Sequence, residues 1–247
     1  MKADPTDQIR LLAVQDADTR LMQLDHRVAT LPEAAELAAA QARLDRLRDE
    51  VVAAQTILSD LERDQARADQ DVEQVRERSV RDRQLLDSGT IGDPKQLQSL
   101  QHELESLARR QAELEDIELE VMERVEGARA AVGVLTADHA GVGEQIADLQ
   151  ARVAAALGVV DEERVAVRAD RESSASGVSA ELMALYDKTR ADHGGVGAAR
   201  LYRGRCEGCH LDIPPQELEA IRAAAPDTVL RCEECRRILV RTPESGL

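Results

Sequence analysis

The chain has 247 residues, a formal net charge of −16 and no Phe or Trp, which excludes a thick globular core built on aromatic side chains. Charged residues make up 32% of it, a composition typical of helices that bury one narrow apolar stripe. A chain this acidic repels nucleic acid and anionic membranes over most of its surface. The acidic surplus lies before residue 200, and residues 200–241 are close to neutral.

The sequence shows no feature typical of export or membrane insertion. No basic and apolar segment at the N-terminus resembles a signal peptide, and no run approaches the roughly 20 apolar residues that cross a bilayer. We therefore expect a cytoplasmic protein without membrane contact. All four cysteines lie within residues 206–235 as two pairs, so none is left over to suggest a disulfide framework.

The first predicted element is a helix that begins after Asp4-Pro5, an N-cap followed by a residue favoured in the first helical turn. Pro32 lacks a backbone donor and opposes helix continuation, so we expect a break near residue 32. The apolar seam before this break alternates in steps of three and four and comprises Val14, Ala17, Leu21, Leu24, Val28 and Leu31.

Two longer seams with the same spacing follow the break. The second consists of Leu44, Leu47, Val51, Ala54, Leu58, Leu61, Gln65, Ala68, Val72 and Val75. The third consists of Leu97, Leu100, Leu104, Leu107, Gln111, Leu114, Glu118, Val121, Val125, Ala128, Val132, Leu135, His139, Val142, Ile146, Leu149, Val153, Ala156 and Val160. Heptads sustained this far predict a left-handed coiled coil.

Residues 87–94 separate the two long seams and contain turn signals. Gly89 and Gly92 permit positive φ, and Asp93-Pro94 is again an N-cap followed by a favoured first helical residue. Nearly equal arms around one tight turn fold back on each other. The sequence therefore predicts a mainly α fold with a long antiparallel coiled-coil hairpin over residues 1–173, with its turn near 87–94.

This pairing places Ala38-Ala39-Ala40 opposite Gly141 and Gly143. Small residues leave room for helices to approach closely. We therefore expect a shorter distance between the two helices at this level than elsewhere along the hairpin.

After a polar, small-residue linker at 173–178, a second domain is predicted over residues 178–247. It begins with a short amphipathic helix at 180–190. Cys206-Glu-Gly-Cys209 and Cys232-Glu-Glu-Cys235 follow. Two residues between thiols let a tight turn, or knuckle, direct both sulfurs at one metal. The spacing predicts one structural zinc ion bound by Cys206, Cys209, Cys232 and Cys235 in a small β-rich ribbon.

Other uses of paired cysteines remain open at this point. They are a redox-active CxxC, two disulfides formed on oxidation, or an iron–sulfur cluster. A thioredoxin-like site lacks its βαβ surroundings, and a cluster site lacks the usual third closely spaced cysteine. His193 and His210 lie nearby in sequence, and with four cysteines present we expect neither to be a ligand.

Several stretches together resemble the bacterial C4-type zinc-ribbon family, whose members join an N-terminal coiled-coil hairpin to a C-terminal ribbon. Besides the two cysteine pairs, they are Asp93-Pro-Lys-Gln-Leu-Gln-Ser-Leu100, Ile213-Pro-Pro-Gln216 and Arg236-Arg-Ile-Leu239. One departure is Arg236, where the family usually has Gly, and a residue with a β-carbon there implies a strained or altered turn. The resemblance implies a non-enzymatic protein that binds nucleic acid or regulatory protein partners.

These observations favour a zinc-binding interaction or regulatory adaptor, most simply a monomer, in which the coiled coil binds protein partners. The ribbon would contact nucleic acid or transcription-type machinery through arginines that flank the knuckles. The alternative is a redox- or zinc-responsive switch that loses its metal on oxidation. No nucleophile and base set indicates an enzyme. The candidate contact arginines are Arg203, Arg205, Arg231, Arg236, Arg237 and Arg241.

Overall fold

The computed structural model describes all residues, 1–247. Its elements are α1 (Pro5–Ala29), α2 (Pro32–Asp87), α3 (Pro94–Ser176), α4 (Ala180–Asp192), β1 (Ala198–Tyr202), β2 (Arg205–Cys206), α5 (Pro215–Ala223), β3 (Leu230–Arg231) and β4 (Ile238–Val240). The predicted class is confirmed: a mainly α chain with a long helical hairpin and a small C-terminal strand region that bears the four cysteines. None of these helices combines the length and the apolarity that a membrane crossing needs.

The helix starts follow the local signals in the sequence. The Asp4 carboxylate accepts a hydrogen bond from the Thr6 amide at 2.7 Å, and the Asp93 carboxylate accepts one from the Lys95 amide at 3.0 Å. Both caps satisfy amides that lack an intrahelical partner. Gly89 in the turn between α2 and α3 has a φ of 62°. α3 continues to Ser176, so only residues 177–179 separate it from α4.

Contacts divide the chain into two compact units, one of residues 35–150 and one of residues 1–34 together with 151–247. The unit that holds the cysteines thus also holds α1 and the last part of α3. The sequence instead predicts two domains that follow one another along the chain, residues 1–173 and 178–247.

Ala40 is buried one step before the second seam begins. The other buried residues of the 35–150 unit lie along the seams: Leu47, Leu61, Ala68, Val72, Leu114, Val125, Val142 and Leu149. Exposed ion pairs join α2 to α3 at Glu62–Arg129 (3.0 Å) and Arg76–Glu115 (2.7 Å). As the residue number of the α2 partner rises, that of the α3 partner falls, which shows that the two helices are antiparallel. Each exposed pair contributes little to stability, so the apolar seam holds this unit together.

The two glycines expected to permit a close helix approach do not face the seam. A β-carbon added at Gly141 or Gly143 would meet no atom within 4 Å. Val142, which lies between the two glycines, is 4% exposed. Val142 thus occupies the buried position, and the shorter distance between the helices at this level stays a prediction.

We expect Gly141→Ala and Gly143→Ala each to raise the free energy of unfolding by about 0.5–1 kcal/mol, because alanine restricts the unfolded chain and clashes with nothing here. Thermal and urea unfolding followed by circular dichroism would measure the change. Val142→Ala is the matched control and should lower stability by about 2 kcal/mol. Destabilisation by either glycine substitution would show that the helices do press together at these positions.

The other unit contains a four-stranded sheet of order β2-β1-β4-β3, in which β1 and β4 are parallel and the remaining pairs are antiparallel. Side chains alternate between its faces. Ala198, Ile238 and Val240 pack with apolar residues of α1 and α4, whereas Ala199 and Leu239 pack around the cysteines. The sheet therefore joins the helical part of this unit to the cysteine-bearing part.

The chain's first residues complete the edge beside β3. Lys2 forms an antiparallel bridge with Thr228. The Ala3 amide donates to the Asp227 carbonyl at 2.8 Å, and the Val229 amide donates to the Met1 carbonyl at 3.2 Å. This pairing satisfies backbone groups of residues 227–229 that would otherwise be open to another chain.

Candidate metal centre

The two cysteine pairs form knuckles with the same backbone hydrogen bond. The His210 amide donates to the Cys206 carbonyl at 2.8 Å, and the Arg236 amide donates to the Cys232 carbonyl at 2.9 Å. Each bond runs from the residue after the second cysteine of a pair to the first cysteine. Each turn therefore directs both of its sulfurs to one side.

The four sulfurs lie within 4.8 Å of one another. The Sγ atoms of Cys206 and Cys235 are 3.9 Å apart, as are those of Cys209 and Cys232. A tetrahedron with zinc–sulfur bonds of about 2.3 Å has edges of about 3.8 Å, whereas a disulfide bond is about 2.05 Å long. The cysteines are thus free thiols positioned to coordinate one zinc ion.

Burial and hydrogen bonding set the proton affinity of these thiols. Burial raises the pKa of Cys206 and of Cys232. Burial acts upward on Cys235 too, but hydrogen bonds from Arg237 and from neighbouring thiols outweigh it and its pKa is lowered. Zinc needs thiolates and displaces their protons on binding, so zinc affinity falls as the pH falls. Four protein ligands would leave no position for a reactive water, which is the arrangement of a structural site.

Both knuckles end on a residue in the left-handed backbone region. His210 has a φ of 63° and Arg236 a φ of 60°. A β-carbon makes this conformation unfavourable by about 1 kcal/mol or more, whereas glycine adopts it readily. The structure thus locates the strain that the departure from glycine at position 236 implied.

Arg236→Gly is accordingly expected to stabilise the zinc-loaded protein by about 0.5–1 kcal/mol, the relief of strain being partly offset by a more flexible unfolded chain. Thermal unfolding at saturating zinc would measure it. Glu234→Gly, in the same knuckle but without positive φ, is the control and should lower stability. An unchanged or lower melting temperature for Arg236→Gly would contradict this account of the turn.

The six candidate arginines divide into two groups. The guanidinium of Arg241 donates to five backbone carbonyls between Ile221 and Thr228, in the last turn of α5 and the segment that follows it. The guanidinium of Arg237 donates to three. These two guanidinium groups are therefore engaged within the fold. The exposed members are Arg203, Arg205, Arg231 and Arg236.

Among the exposed arginines, two brace the knuckles in equivalent ways. Arg205 donates through Nε to the His210 carbonyl at 2.7 Å, and Arg231 donates through Nε to the Arg236 carbonyl at 2.8 Å. Arg203 lies over the Tyr202 ring, 5.2 Å from its centre, a cation–π geometry. The residue before the first cysteine of each pair thus supports its own turn.

Sequence reasoning missed a buried polar cluster next to the sheet. Asp18 of α1 is 1% exposed, and its carboxylate accepts from Arg171 Nε at 2.7 Å and from the Tyr186 hydroxyl at 2.7 Å. Arg190 Nε lies 3.3 Å from the same carboxylate. Burial, followed by the bond to Asp18, raises the pKa of Tyr186, which therefore stays a neutral donor. Nothing in the local sequence distinguishes Asp18 from the many exposed acidic residues of the helices.

Comparison with known proteins agrees with this architecture. A family model described as "CT398-like coiled coil hairpin domain" matches residues 14–194, and one described as "C4-type zinc ribbon domain" matches residues 205–239. The Mycobacterium tuberculosis protein described as "Uncharacterized protein Rv2229c" is 40% identical over 244 residues, which is 98% of each chain. A Mycobacterium leprae protein, "Uncharacterized protein ML1638", is 28% identical over 232 residues, covering 93% of this chain and 94% of the other.

Solved structures show the same fold. A Mycobacterium smegmatis protein superposes with a TM-score of 0.84 at 35% identity, covering 98% of this chain and 100% of the other. CT398 from Chlamydia trachomatis superposes with a TM-score of 0.67 at 17% identity, with coverage of 96% and 98%. At 17% identity the likeness shows a shared fold alone.

Proposed function

Because the chain belongs to the family of CT398-like coiled-coil hairpin proteins that carry a C4-type zinc ribbon, we propose that it is a non-enzymatic adaptor. In this proposal the coiled coil binds protein partners, and the ribbon contacts nucleic acid or transcription-type machinery. Zinc holds the ribbon in shape and takes no part in a reaction.

The observation that carries the nucleic-acid part is the set of exposed arginines around the two knuckles. Arg205 and Arg231 use Nε to brace their turns, which leaves their terminal nitrogens for a phosphate. Arg203 and Arg236 are exposed beside them. Arg237 and Arg241 are excluded from this contact surface, because their guanidinium groups already bind backbone carbonyls.

Protein binding by the coiled coil has separate support in the 35–150 unit. Leu119 and Met122 lie one helical turn apart and are 58% and 43% exposed. They line a groove of about 440 Å³ together with Gln65, Val125 and the charged residues Glu123, Glu126 and Arg129. Exposed apolar side chains in one place are more often contact sites than scattered ones are, so this groove is where we expect a partner to bind.

Replacing Arg203 and Arg236 together by Gln should weaken binding to mixed DNA and RNA pools and reduce its salt dependence by about one unit of slope per lost phosphate contact. Fluorescence anisotropy at several salt concentrations measures both. Arg222→Gln, an exposed arginine on α5, is the control. Absence of salt-sensitive binding by the zinc-loaded protein would reject the nucleic-acid part, and capture of partners from nuclease-treated extract would then test the protein part alone.

The second candidate function is a redox- or zinc-responsive switch, which would use the same four thiols. The two 3.9 Å pairs, Cys206 with Cys235 and Cys209 with Cys232, each join one knuckle to the other. Oxidation by peroxide would link such pairs as disulfides and release the metal. Zinc that stays bound after mild peroxide treatment would reject this candidate.

We also propose a cytoplasmic monomer. Four zinc-binding thiols suit a reducing compartment, and the backbone groups of residues 227–229 are already paired with residues 1–3. Light scattering at several protein concentrations tests the monomer, since a mass that rises with concentration would contradict it.

A further inference from the structure

The loop between α4 and β1, residues 193–197, is held from one side by Gln15 of α1. Gln15 Nε2 donates to the Gly195 carbonyl at 3.2 Å, and Oε1 accepts from the amides of Gly197 at 2.7 Å and Ala198 at 3.3 Å. Gln15 is 6% exposed, so these bonds are shielded from water. Losing them would leave buried backbone groups of the loop unpaired, so Gln15 contributes to the position of the loop.

Arg237 holds the same loop from the side of the ribbon. Its guanidinium donates to the carbonyls of Val196 at 3.0 Å, His193 at 3.2 Å and Gly208 at 3.1 Å. Gly208 is part of the first knuckle. The backbone carbonyl of Arg237 accepts the Cys232 amide, in the second knuckle, at 3.0 Å. One residue therefore contacts both knuckles and the loop.

The aliphatic part of the Arg237 side chain occupies the space that a side chain at position 208 would need. A β-carbon on Gly208 would lie 2.9 Å from Arg237 Cδ and 2.9 Å from Ala199 Cβ. Both distances are shorter than a β-carbon tolerates. This close packing holds the Arg237 side chain between the first knuckle and β1, so its position depends on where that knuckle lies.

We propose that Arg237 is a positioning residue that couples the zinc centre to α1 through the 193–197 loop. Zinc brings the two knuckles together, which fixes Arg237 between them. Arg237 then holds the His193 and Val196 carbonyls, and the loop presents Gly195 and Gly197 to Gln15. This coupling does not depend on what the exposed arginines bind.

Coupling of this kind is reciprocal. If zinc binding stabilises the contact between the loop and α1, then that contact must stabilise bound zinc by the same free energy. Substitution of Gln15, which forms no hydrogen bond with the cysteines, should therefore weaken zinc binding. A purely local role for Arg237 would not produce this effect.

The test measures zinc release at equilibrium, as the zinc affinity of the full-length chain in competition with a chelator of known affinity. Arg237→Gln should weaken zinc binding about tenfold, the usual size of an effect from residues that support metal ligands. Arg237→Lys, which keeps the charge and one donor nitrogen, should fall between that variant and wild type. Gln15→Ala should also weaken zinc binding. Amide exchange at 195–198 should rise in zinc-loaded Arg237→Gln while the knuckle amides of 206, 210, 232 and 236 stay protected.

Leu24→Ala is the control for a general loss of stability, because Leu24 is buried in α1 at 1% exposure and lies about 2.5 helical turns beyond Gln15. In the Arg237→Gln background, Gln15→Ala should change zinc release by less than it does in the wild-type background. Leu24→Ala should change it by the same factor in both backgrounds. Should Arg237→Gln fail to load zinc, Arg237→Lys replaces it in both combinations. Wild-type release from Gln15→Ala, or fully multiplicative effects of Gln15 and Arg237 substitutions, would overturn the proposal.

Discussion

Cys232→Ser is expected to abolish stoichiometric zinc binding and to unfold the strands around the knuckles. Cys232 is 2% exposed and packs in the cluster formed by Ala199, Leu201 and Leu239. A serine hydroxyl is not a zinc ligand of comparable strength, and structural zinc supplies on the order of 10 kcal/mol of folding free energy in small domains. Metal analysis should find close to no zinc, and limited proteolysis should cut within residues 198–247.

The helices of the 35–150 unit have their own buried seam, so most of the helical circular dichroism signal should survive in Cys232→Ser. Glu233→Ser, between the two cysteines of the same knuckle, is the matched control and should retain zinc. Full zinc content with normal protease resistance in Cys232→Ser would contradict the four-cysteine site. Wild-type protein should also lose zinc on acidification, because protons compete for the buried thiols.

Asp18→Ala is expected to destabilise the unit of residues 1–34 and 151–247 by about 3 kcal/mol. The substitution leaves Arg171, Arg190 and the buried Tyr186 hydroxyl without their shared acceptor. Both arginines are partly exposed, at 28% and 33%, and water can therefore offset part of the loss. Urea unfolding followed by near-ultraviolet circular dichroism of tyrosine would measure the change.

The control is Asp25→Ala, which removes an ion pair of Asp25 with Arg164 in which the aspartate is 69% exposed. That pair should contribute less than about 1 kcal/mol. Asp18→Asn keeps an acceptor for Tyr186 and should fall between the two. A midpoint for Asp18→Ala equal to that of Asp25→Ala would show that the buried cluster adds nothing to stability.

The seams of the long helices could be predicted because their cause is local. Leu47, Leu61, Val125 and Leu149 recur at coiled-coil spacing, and all of them are buried. The zinc ligands could be predicted for the same reason, since two residues between cysteines fix the geometry of a knuckle. In both cases the neighbours that matter lie a few residues away along the chain.

The sequence predicts that α1 is a helix but does not predict which of its side chains are buried. Its seam correctly included Val14 and Leu24, yet Gln15 and Asp18 are also buried, because α4 and the sheet cover a wider face of α1 than a coiled-coil partner would. Likewise, nothing around Arg237 or Arg241 shows that carbonyls from distant segments surround them. Such contacts depend on where the chain returns in space, which spacing along the sequence does not reveal.

The pairing of residues 1–3 with residues 227–229 affects the order of folding during synthesis. Residues 1–3 acquire these partners only after residues 227–229 have been synthesised, more than 220 residues later in the chain. Until then, the apolar and amide side chains of α1 that pack on α4 and β1 stay uncovered, and such surfaces are prone to aggregate. The 35–150 unit, whose contacts are complete earlier, can form first, whereas the zinc-bearing unit closes only after residues 227–229 have left the ribosome.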